Sequence, residues 1–159
     1  MKIFLLSLTF LFLLSCSKTN YYIVRHAEKA TITMTSDVPL SDMGQQRAVA
    51  LKNELNDKKI RHIFSTNTIR TKSTAQPLSE ILGISIQTYD AKDTTFISRL
   101  KDINKNVLIV GHSNTVDNLI NGLTGKNLLQ DLPESQYGDL FIIKKKGRKY
   151  SFEKSRFGQ

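Results

Sequence analysis

Two apolar segments of this sequence end abruptly in histidine. Residues 21–24 (Tyr-Tyr-Ile-Val) are followed by Arg25 and His26, and residues 107–111 (Val-Leu-Ile-Val-Gly) are followed by His112. A neutral imidazole is a competent nucleophile toward phosphorus, and a guanidinium binds two phosphate oxygens while keeping its charge. Two imidazoles beside at least one guanidinium therefore indicate a site for a phosphoryl group.

The apolar segments themselves predict where such a site would lie. Four apolar residues in succession are typical of a strand buried on both faces, as in a parallel sheet. Ligands of α/β folds bind at the carboxyl ends of these strands. Because Arg25 and His26 are neighbours, the chain has to turn there for both side chains to reach one site. Strands and helices alternate, so we expect a three-layer α/β/α fold with a mostly parallel central sheet.

Apolar periodicity and capping residues predict the remaining elements. Ser41 is expected to cap the first helix and Thr66 or Thr68 the second, since their oxygens accept free backbone N–H groups. Gly83 is expected to end the second helix, and residues 84–89 alternate as an edge strand does. The predicted elements are helices over 41–56, 66–82, 93–103 and 113–124, strands over 60–65 and 84–89, and a hairpin of 140–143 with 150–153.

Composition limits the classes of partner. The chain has 159 residues, 40% of them hydrophobic and 23% charged, with a net charge of +9. The simplest interpretation of this charge is a solvated surface far from its isoelectric point, and the alternative is attraction to anionic ligands. No arginine-rich run is interleaved with aromatic residues, so we expect no nucleic acid. The three histidines are far apart and form no metal-binding motif, so we expect neither a metal nor another cofactor. A phosphorylated small molecule or phosphoprotein is the expected substrate.

The first residues predict export. A positive start precedes an apolar run over residues 3–14, which is too short to span a bilayer and is typical of a cleaved signal. Residues 13–16 resemble the lipobox of bacterial lipoproteins, in which the chain is cut before a cysteine that then carries lipid. Cys16 is the single cysteine, and Ser17 after it favours the outer membrane of the cell envelope by the same resemblance. The expected organisation is a signal peptide (1–15), a tether (16–20) and one domain (21–159).

Four segments in the correct order resemble the histidine phosphatase superfamily, which has the phosphoglycerate mutase-like fold. They are Arg25-His26-Ala27-Glu28-Lys29, with alanine where glycine is more usual, Pro39-Leu40-Ser41-x-x-Gly44-x-x-Arg47-Ala48, Ile63-Phe64-Ser65-Thr66-x-x-x-Arg70-Thr71-x-x-Thr74-Ala75, and Gly111-His112-Ser113-Asn114-Thr115. The resemblance implies a metal-independent phosphatase that hydrolyses a phosphate monoester or phosphohistidine through a phosphohistidine intermediate.

The resemblance also implies roles for individual residues. His26 would be the phosphorylated nucleophile. Arg25, Arg70 and His112 would line the pocket, bind the phosphate and stabilise charge on the transferring group. Ser113 and the N–H groups at its helix start would add to this, because helix N-termini favour anions.

The proton donor is less well defined. Many family members have a carboxylate after the second helix, where this chain has Asp90 and Asp93. We expect Asp93 to be the general acid, although either Asp93 or Thr94 is equally placed to cap the next helix. Glu28 could instead orient a ring nitrogen or an arginine.

Three other functions match parts of this sequence. Residues 111–115 nearly match the nucleophile elbow of α/β-hydrolases, but no histidine follows Ser113 to act as its base. The short stretch between Arg70 and Gly111 has no room for the substrate-covering insertions of the mutases, which favours a phosphatase. The alternative that stays open is a lipid-anchored module that binds a phosphorylated ligand with little turnover, which loss of the Asp93 acid would favour.

Overall fold

A computed structural model describes residues 18–31 and 37–158 of this protein. Within these ranges, strands and helices alternate along the chain before a final pair of strands. The elements are β1 (Lys18–Arg25), α1 (Asp42–Leu55), β2 (Ile60–Ser65), α2 (Ile69–Leu82), β3 (Ile86–Thr88), α3 (Phe96–Asp102), β4 (Asn106–Gly111), α4 (Ser113–Thr124), β5 (Asp139–Lys146) and β6 (Lys149–Arg156).

The strands form one sheet in the order β3-β2-β4-β1-β5-β6. The first four strands in this order are parallel to one another, and β5 and β6 continue the sheet in antiparallel fashion. The expected mostly parallel sheet is therefore confirmed. Its two central strands are β1 and β4, the two apolar segments that precede the histidines.

Side chains alternate between two cores along β1. Tyr21 and Ile23 point to the face covered by α3 and α4, whereas Tyr22 and Val24 point to the face covered by α1 and α2. All four side chains are buried, which explains why the segment is continuously apolar. Helices on both faces of the sheet give the three-layer α/β/α architecture predicted from the sequence.

The helix ends confirm most of the predicted caps. The Ser41 hydroxyl accepts a hydrogen bond from the Gly44 N–H at 3.1 Å, and Thr68 caps α2 by accepting from the Thr71 N–H at 3.4 Å. Gly83 ends α2 in the left-handed conformation, with φ of 64°. A Cβ on Gly44 would lie 2.3 Å from the carbonyl oxygen of Glu28, so this glycine lets α1 pack against the chain just beyond His26.

Three boundaries differ from the prediction. Residues 18–20, assigned to a tether, belong to β1, where they pair with the end of β5. The edge strand β3 is shorter than residues 84–89. Helix α3 begins only at Phe96, because Asp93 and Thr94 precede it in a turn in which the Asp93 carboxylate accepts the Thr95 N–H at 2.8 Å.

The predicted signal peptide and Cys16 lie outside the described residues. In the ranges that are described, no helix has both the length and the apolar character needed to cross a bilayer.

Candidate active site

The two histidines meet because β1 and β4 are neighbours in the sheet and end at the same edge. Arg25 pairs with Gly111 in the parallel register, and the His26 N–H donates to the Gly111 carbonyl at 2.9 Å. The centroids of the His26 and His112 rings are 5.4 Å apart, with the ring planes inclined at 68°. The structure thus brings together the two imidazoles that lie far apart in the sequence.

Within the described ranges, the hydrogen bonding of His26 leaves its Nε2 free for attack. Its Nδ1 lies 2.7 Å from the carbonyl oxygen of Ala27. Since a carbonyl can only accept, Nδ1 carries the proton and Nε2 keeps its lone pair. The pKa of His26 is lowered to about 3, mainly by burial. The hydrogen bond to Ala27 acts in the opposite direction but is the smaller effect. The imidazole is therefore neutral at pH 7, as a nucleophile must be.

His112 stands at the N-cap of α4, so the N-terminus of this helix faces the same space. Its Nε2 lies 2.9 Å from the Thr66 hydroxyl, and its backbone N–H donates to the Thr115 hydroxyl at 2.7 Å. The pKa of His112 is lowered to about 4, mainly by burial and further by the positive charges of Arg70 and Arg25. Both imidazoles are thus uncharged and face guanidinium groups.

Arg70 is delivered by the first turn of α2. Both Asp37 carboxylate oxygens accept the Ile69 N–H at 2.8 Å, and one of them lies 3.5 Å from Nη1 of Arg70. The Asp37 carboxylate therefore both accepts a free N–H group at the start of α2 and orients Arg70. A negative charge is favourable at a helix N-terminus.

The Arg25 guanidinium binds the loop over 133–137 by several hydrogen bonds. Its Nη1 donates to the carbonyls of Pro133, Glu134 and Gln136 at 2.9, 3.0 and 3.2 Å. Its Nη2 donates to the Glu134 carboxylate at 2.8 Å, and the Tyr137 ring centroid lies 4.4 Å from its Cζ. Arg25 is thus a structural clamp on this loop as well as a cation beside His26.

Within the described ranges, one buried guanidinium N–H group on each of Arg25 and Arg70 lacks a hydrogen-bond acceptor. Among the residues that the structure describes, neither Nε of Arg25 nor Nε of Arg70 has a hydrogen-bond partner, although both atoms are buried. Buried donors without partners are rare in folded proteins. Their occurrence on both arginines suits a strong hydrogen-bond acceptor such as phosphate.

A cavity of about 440 Å³ opens over the two imidazoles. Its walls include His26, Arg70, His112 and Ser113, all predicted for the site. Arg25, which was also expected to line the pocket, is not part of this lining, because its guanidinium is engaged by the loop over 133–137. The other residues of its lining carry no site prediction from the sequence. They are Lys29, Asn114, Asp131 and Glu134.

Glu134 places a carboxylate over this cavity. One oxygen accepts from the Ser113 hydroxyl at 2.8 Å, and the other lies 3.8 Å from the Lys29 ammonium and 2.8 Å from Arg25. The Ser113 hydrogen bond, and then the nearby positive charges, hold the pKa of Glu134 below its usual range. The donors of the site therefore already hold an oxyanion, and its side chain is 70% exposed.

The proposed general acid is not in the cavity. Asp93 lines a separate depression with Tyr89 and Phe96, and its carboxylate is engaged by Thr95 and by Arg99 at 2.7 Å. These hydrogen bonds keep the pKa of Asp93 low, with Thr95 contributing most. The assignment of Asp93 as the acid is corrected on this geometry, because α3 begins late and Asp93 serves the turn before it.

Asp90, the second carboxylate considered, is occupied in the same segment. Its side chain accepts the Lys92 N–H at 2.9 Å and lines the same separate depression. Neither aspartate of the segment lines the cavity over the histidines.

Glu28 orients an arginine, one of the two roles that the sequence left open. Its carboxylate binds Arg47 at 2.6 and 2.8 Å, and Arg47 also donates to the carbonyls of Phe157 and Gly158 at 3.2 and 2.8 Å. This network ties the turn after His26 to the end of the chain.

The sequence reasoning also missed the residues that hold the histidine segments in place. Thr74 accepts the Ala27 N–H at 2.9 Å and Thr66 binds His112. Both threonines lie inside a segment that resembles the family motif, so that segment carried the signal. Asp37, Glu134 and Tyr137 lie in loops without periodicity, and nothing in their sequence context distinguishes them.

Comparison with known proteins identifies the family. The family model of the histidine phosphatase superfamily (branch 1) matches residues 21–93, which run from β1 to the turn before α3. Residues 21–93 of this chain belong to the histidine phosphatase superfamily. The matched range contains Arg25, His26 and Arg70, and the structure places these residues beside His112, which lies beyond the match.

Curated relatives in the superfamily resemble part of this chain. It is 34% identical over 92 residues to a probable phosphoglycerate mutase GpmB of Salmonella choleraesuis, covering 55% of this chain and 39% of that protein. The Escherichia coli protein of the same name (strain K12 / DH10B) is 32% identical over 96 residues, covering 57% and 41%. The chain therefore spans about two fifths of the length of these relatives.

Solved structures share the fold over most of the chain. A SixA protein of Agrobacterium tumefaciens, named as a phosphohistidine phosphatase, superposes with a TM-score of 0.65 at 20% identity over 86% of this chain and 97% of its own. A mycobacterial glucosyl-3-phosphoglycerate phosphatase gives 0.65 at 13% identity over 89% and 99%. A phosphoserine phosphatase of Entamoeba histolytica, in complex with 3-phosphoglyceric acid, gives 0.62 at 14% identity over 89% and 97%.

Proposed function

We propose that this protein is a metal-independent phosphatase that hydrolyses a phosphate monoester or phosphohistidine through a phosphohistidine on Nε2 of His26. The observation that carries the proposal is the state of His26, which is neutral, buried and free at Nε2 in a cavity shared with Arg70 and His112. Membership of the superfamily supports a phosphoryl-transfer enzyme. The phosphatases with the same fold support hydrolysis.

The reaction requires two displacements at phosphorus. The Nε2 lone pair forms a bond to phosphorus while the bond to the leaving oxygen or nitrogen breaks, and the leaving group departs with that electron pair. Water then attacks the phosphohistidine, the P–N bond breaks with its electrons returning to Nε2, and the water gives up a proton. Inorganic phosphate leaves and His26 is neutral again.

The cations of the site would stabilise the charge that spreads over the phosphoryl oxygens. Arg70 offers its guanidinium from the wall of the cavity, and Nη2 of Arg25 becomes available when Glu134 moves aside. Backbone N–H groups at the α4 N-terminus, beside Ser113, add a positive dipole. A bound phosphate would also supply an acceptor for the unpartnered Nε groups of the two arginines.

Glu134 is our candidate for the proton transfer from water. Its lowered pKa keeps it ionised, which suits a base for the second displacement and not an acid for the first. Without a carboxylic acid to protonate the departing group, good leaving groups are favoured. We therefore expect aryl phosphates and phosphohistidine to react faster than alkyl phosphates.

A binding module with little turnover is the second candidate. The observation in its favour is that the Nη groups of Arg25 are already occupied by the 133–136 carbonyls and by Glu134. Such a module would bind phosphate but would not release product from an aryl phosphate.

We also propose that the protein is exported and lipid-anchored in the bacterial cell envelope through Cys16, most simply at the outer membrane. The apolar run over 3–14 and the lipobox-like residues 13–16 support this proposal. Metabolic labelling with a radioactive fatty acid should mark the wild-type protein and leave the Cys16→Ala variant unlabelled. Equal labelling would contradict the assignment of Cys16.

The experiment that tests the enzymatic proposal is hydrolysis of an aryl phosphate by the full chain in the presence of a chelator. Wild-type turnover should survive chelation, and His26→Ala should abolish it, while the matched His62→Ala variant should keep it. Wild-type protein that binds phosphate without turnover would favour the binding module. Equal activity of wild type and His26→Ala would exclude His26 as the nucleophile.

A further inference from the structure

We propose that the sheet edge opposite the cavity docks on an anionic phospholipid surface and holds the cavity facing away from the membrane. This inference rests on the membrane attachment proposed above. We call the surface the basic edge and define it by six exposed cations. These are Lys18, Lys59, Lys105, Lys146, Arg148 and Lys149.

The topology brings these residues to one edge. Parallel strands start at the same side of a sheet, and Lys18, Lys59 and Lys105 stand at or just before the starts of β1, β2 and β4. The turn between β5 and β6 adds the others, because Lys18 of β1 pairs directly with Lys146 of β5. Six cations from four separate parts of the sequence therefore share one end of the sheet.

The acidic groups at this edge leave most of the charge uncompensated. Asp57 pairs with its neighbour Lys58 at 3.0 Å, and Glu54 and Asp102 lie at the helix ends. Among the described residues, no ion pair joins an acidic side chain to any of the six cations of the basic edge. An exposed, unpaired set of ammonium and guanidinium groups is attracted to a negative lipid surface.

The same edge is where the chain arrives from its N-terminal segment. Cys16 precedes Lys18 by two residues, so the Cα atoms of these residues are at most about 7 Å apart. This distance is within the Debye length of about 8 Å at physiological ionic strength. A lipid on Cys16 would therefore bring the headgroups into electrostatic range of the basic edge.

The cavity lies at the other end of β1. Seven residue steps separate Lys18 from Arg25, which corresponds to roughly 23 Å of extended chain. With the basic edge on the headgroups, the cavity over His26 opens toward water. This orientation favours substrates that approach from the aqueous phase and not substrates embedded in the bilayer.

The test uses the full chain on vesicles of phosphatidylcholine, with and without phosphatidylglycerol. Lysines are acetylated with a water-soluble reagent, and the modification is located by mass spectrometry. We expect Lys146 and Lys149 to react about five-fold more slowly on anionic vesicles than on neutral ones. Lys72 and Lys92, near the cavity end, should react equally on both, and high salt should remove the difference.

A charge reversal with a matched control sharpens the test. Lys146→Glu/Lys149→Glu should lose the protection of Lys18 and Lys105 on anionic vesicles, whereas Lys72→Glu/Lys92→Glu should keep it. Equal reactivity of the basic edge on the two kinds of vesicle would overturn the proposal. Stronger protection by a soluble polyanion than by vesicles of equal charge would also overturn it, in favour of that polyanion.

Failure of the proposed lipid attachment can be distinguished from failure of the docking surface. Without the lipid attachment, the chain would not sediment with neutral vesicles. Protection of the basic edge by anionic vesicles would still support the docking surface in that case, and no protection would overturn it.

Discussion

At the carboxyl edge of the sheet, Arg25 is only 5% exposed, and its guanidinium donates to three carbonyls and one carboxylate. At the amino edge, Lys146 and Lys149 are exposed, and no carboxylate among the described residues pairs with them. Positive charge is thus buried and oriented at one edge but solvated and mobile at the other. An oriented cation can stabilise a transition state, whereas a solvated one contributes attraction over distance.

This comparison predicts that replacing an arginine with alanine has a large effect on catalysis at the carboxyl edge and a small effect at the amino edge. Arg70→Ala should lower kcat/KM for an aryl phosphate by about 100-fold, because one fixed charge of the transition state is lost. Arg148→Ala, the matched control at the amino edge, should change kcat/KM by less than about two-fold in solution, as a surface change does. Steady-state kinetics of both variants measures the difference.

A small effect of Arg70→Ala would contradict the assignment of Arg70 to the phosphate site. A large effect of Arg148→Ala in solution would show that the amino edge contributes to catalysis, which would end the distinction between the two edges.

The buried histidines predict a pH dependence of stability. In the folded protein the pKa of His26 is about 3 and that of His112 about 4, against 6.5 for an ordinary imidazole. Below pH 6.5 the unfolded chain therefore binds more protons than the folded one, and stability falls with falling pH. We expect these groups to lower the free energy of unfolding by about 2 to 4 kcal/mol between pH 7 and pH 5.

Urea titrations at the two pH values measure this change. The His26→Gln/His112→Gln variant carries no titrating imidazole in the site and should show a smaller pH dependence than wild type. An equal pH dependence of the two proteins would contradict the lowered pKa values.

Glu134 is predicted to act in the second displacement. Glu134→Gln should slow the release of phosphate from the phosphoenzyme by about ten-fold. This is less than the roughly 100-fold at the lower end of the range for general base catalysis, because the Glu134 side chain is 70% exposed. A pre-steady-state burst of the aryl alcohol should then become visible, because the first displacement is little affected. Loss of both the burst and the turnover would contradict this role and indicate that Glu134 is needed for the first step.

The smallest effect is expected for Asp93→Asn. Since Asp93 caps the turn before α3 and lies outside the cavity, turnover of an aryl phosphate should stay within about two-fold of wild type. A loss of turnover with unchanged phosphate binding would restore Asp93 as the general acid. The two carboxylate variants, Glu134→Gln and Asp93→Asn, thus serve as controls for each other.

Local patterns were sufficient to predict most of the fold. The apolar run of β1 is continuous because both of its faces are covered, and Ser41, Thr68 and Gly83 stand at helix ends where their backbone requirements are met nearby in sequence. Residues 18–20 are predicted as a tether because they follow the lipobox-like Cys16. Their pairing with β5 could not be predicted locally, because the partner residues lie far along the chain.

The candidate site was predictable only where its residues lie in motifs. Arg25 contacts the loop at Pro133 across 108 positions, so neither the clamp nor Glu134 could be found from local patterns. Asp93 was misassigned because a helix cap and a general acid require the same residue type. Asp37 gives a further example, since its contact with Arg70 depends on how the loop before α1 meets the first turn of α2.

The central claim is that His26 is the nucleophile, and trapping of the phosphoenzyme tests it most directly. The full chain is mixed with an aryl phosphate, quenched in alkali, in which phosphohistidine is stable, and digested for mass spectrometry. We predict one phosphoryl group on His26, abundant in Glu134→Gln and absent from His26→Ala. A phosphoryl group on His112 or Ser113, or turnover by His26→Ala, would contradict the claim.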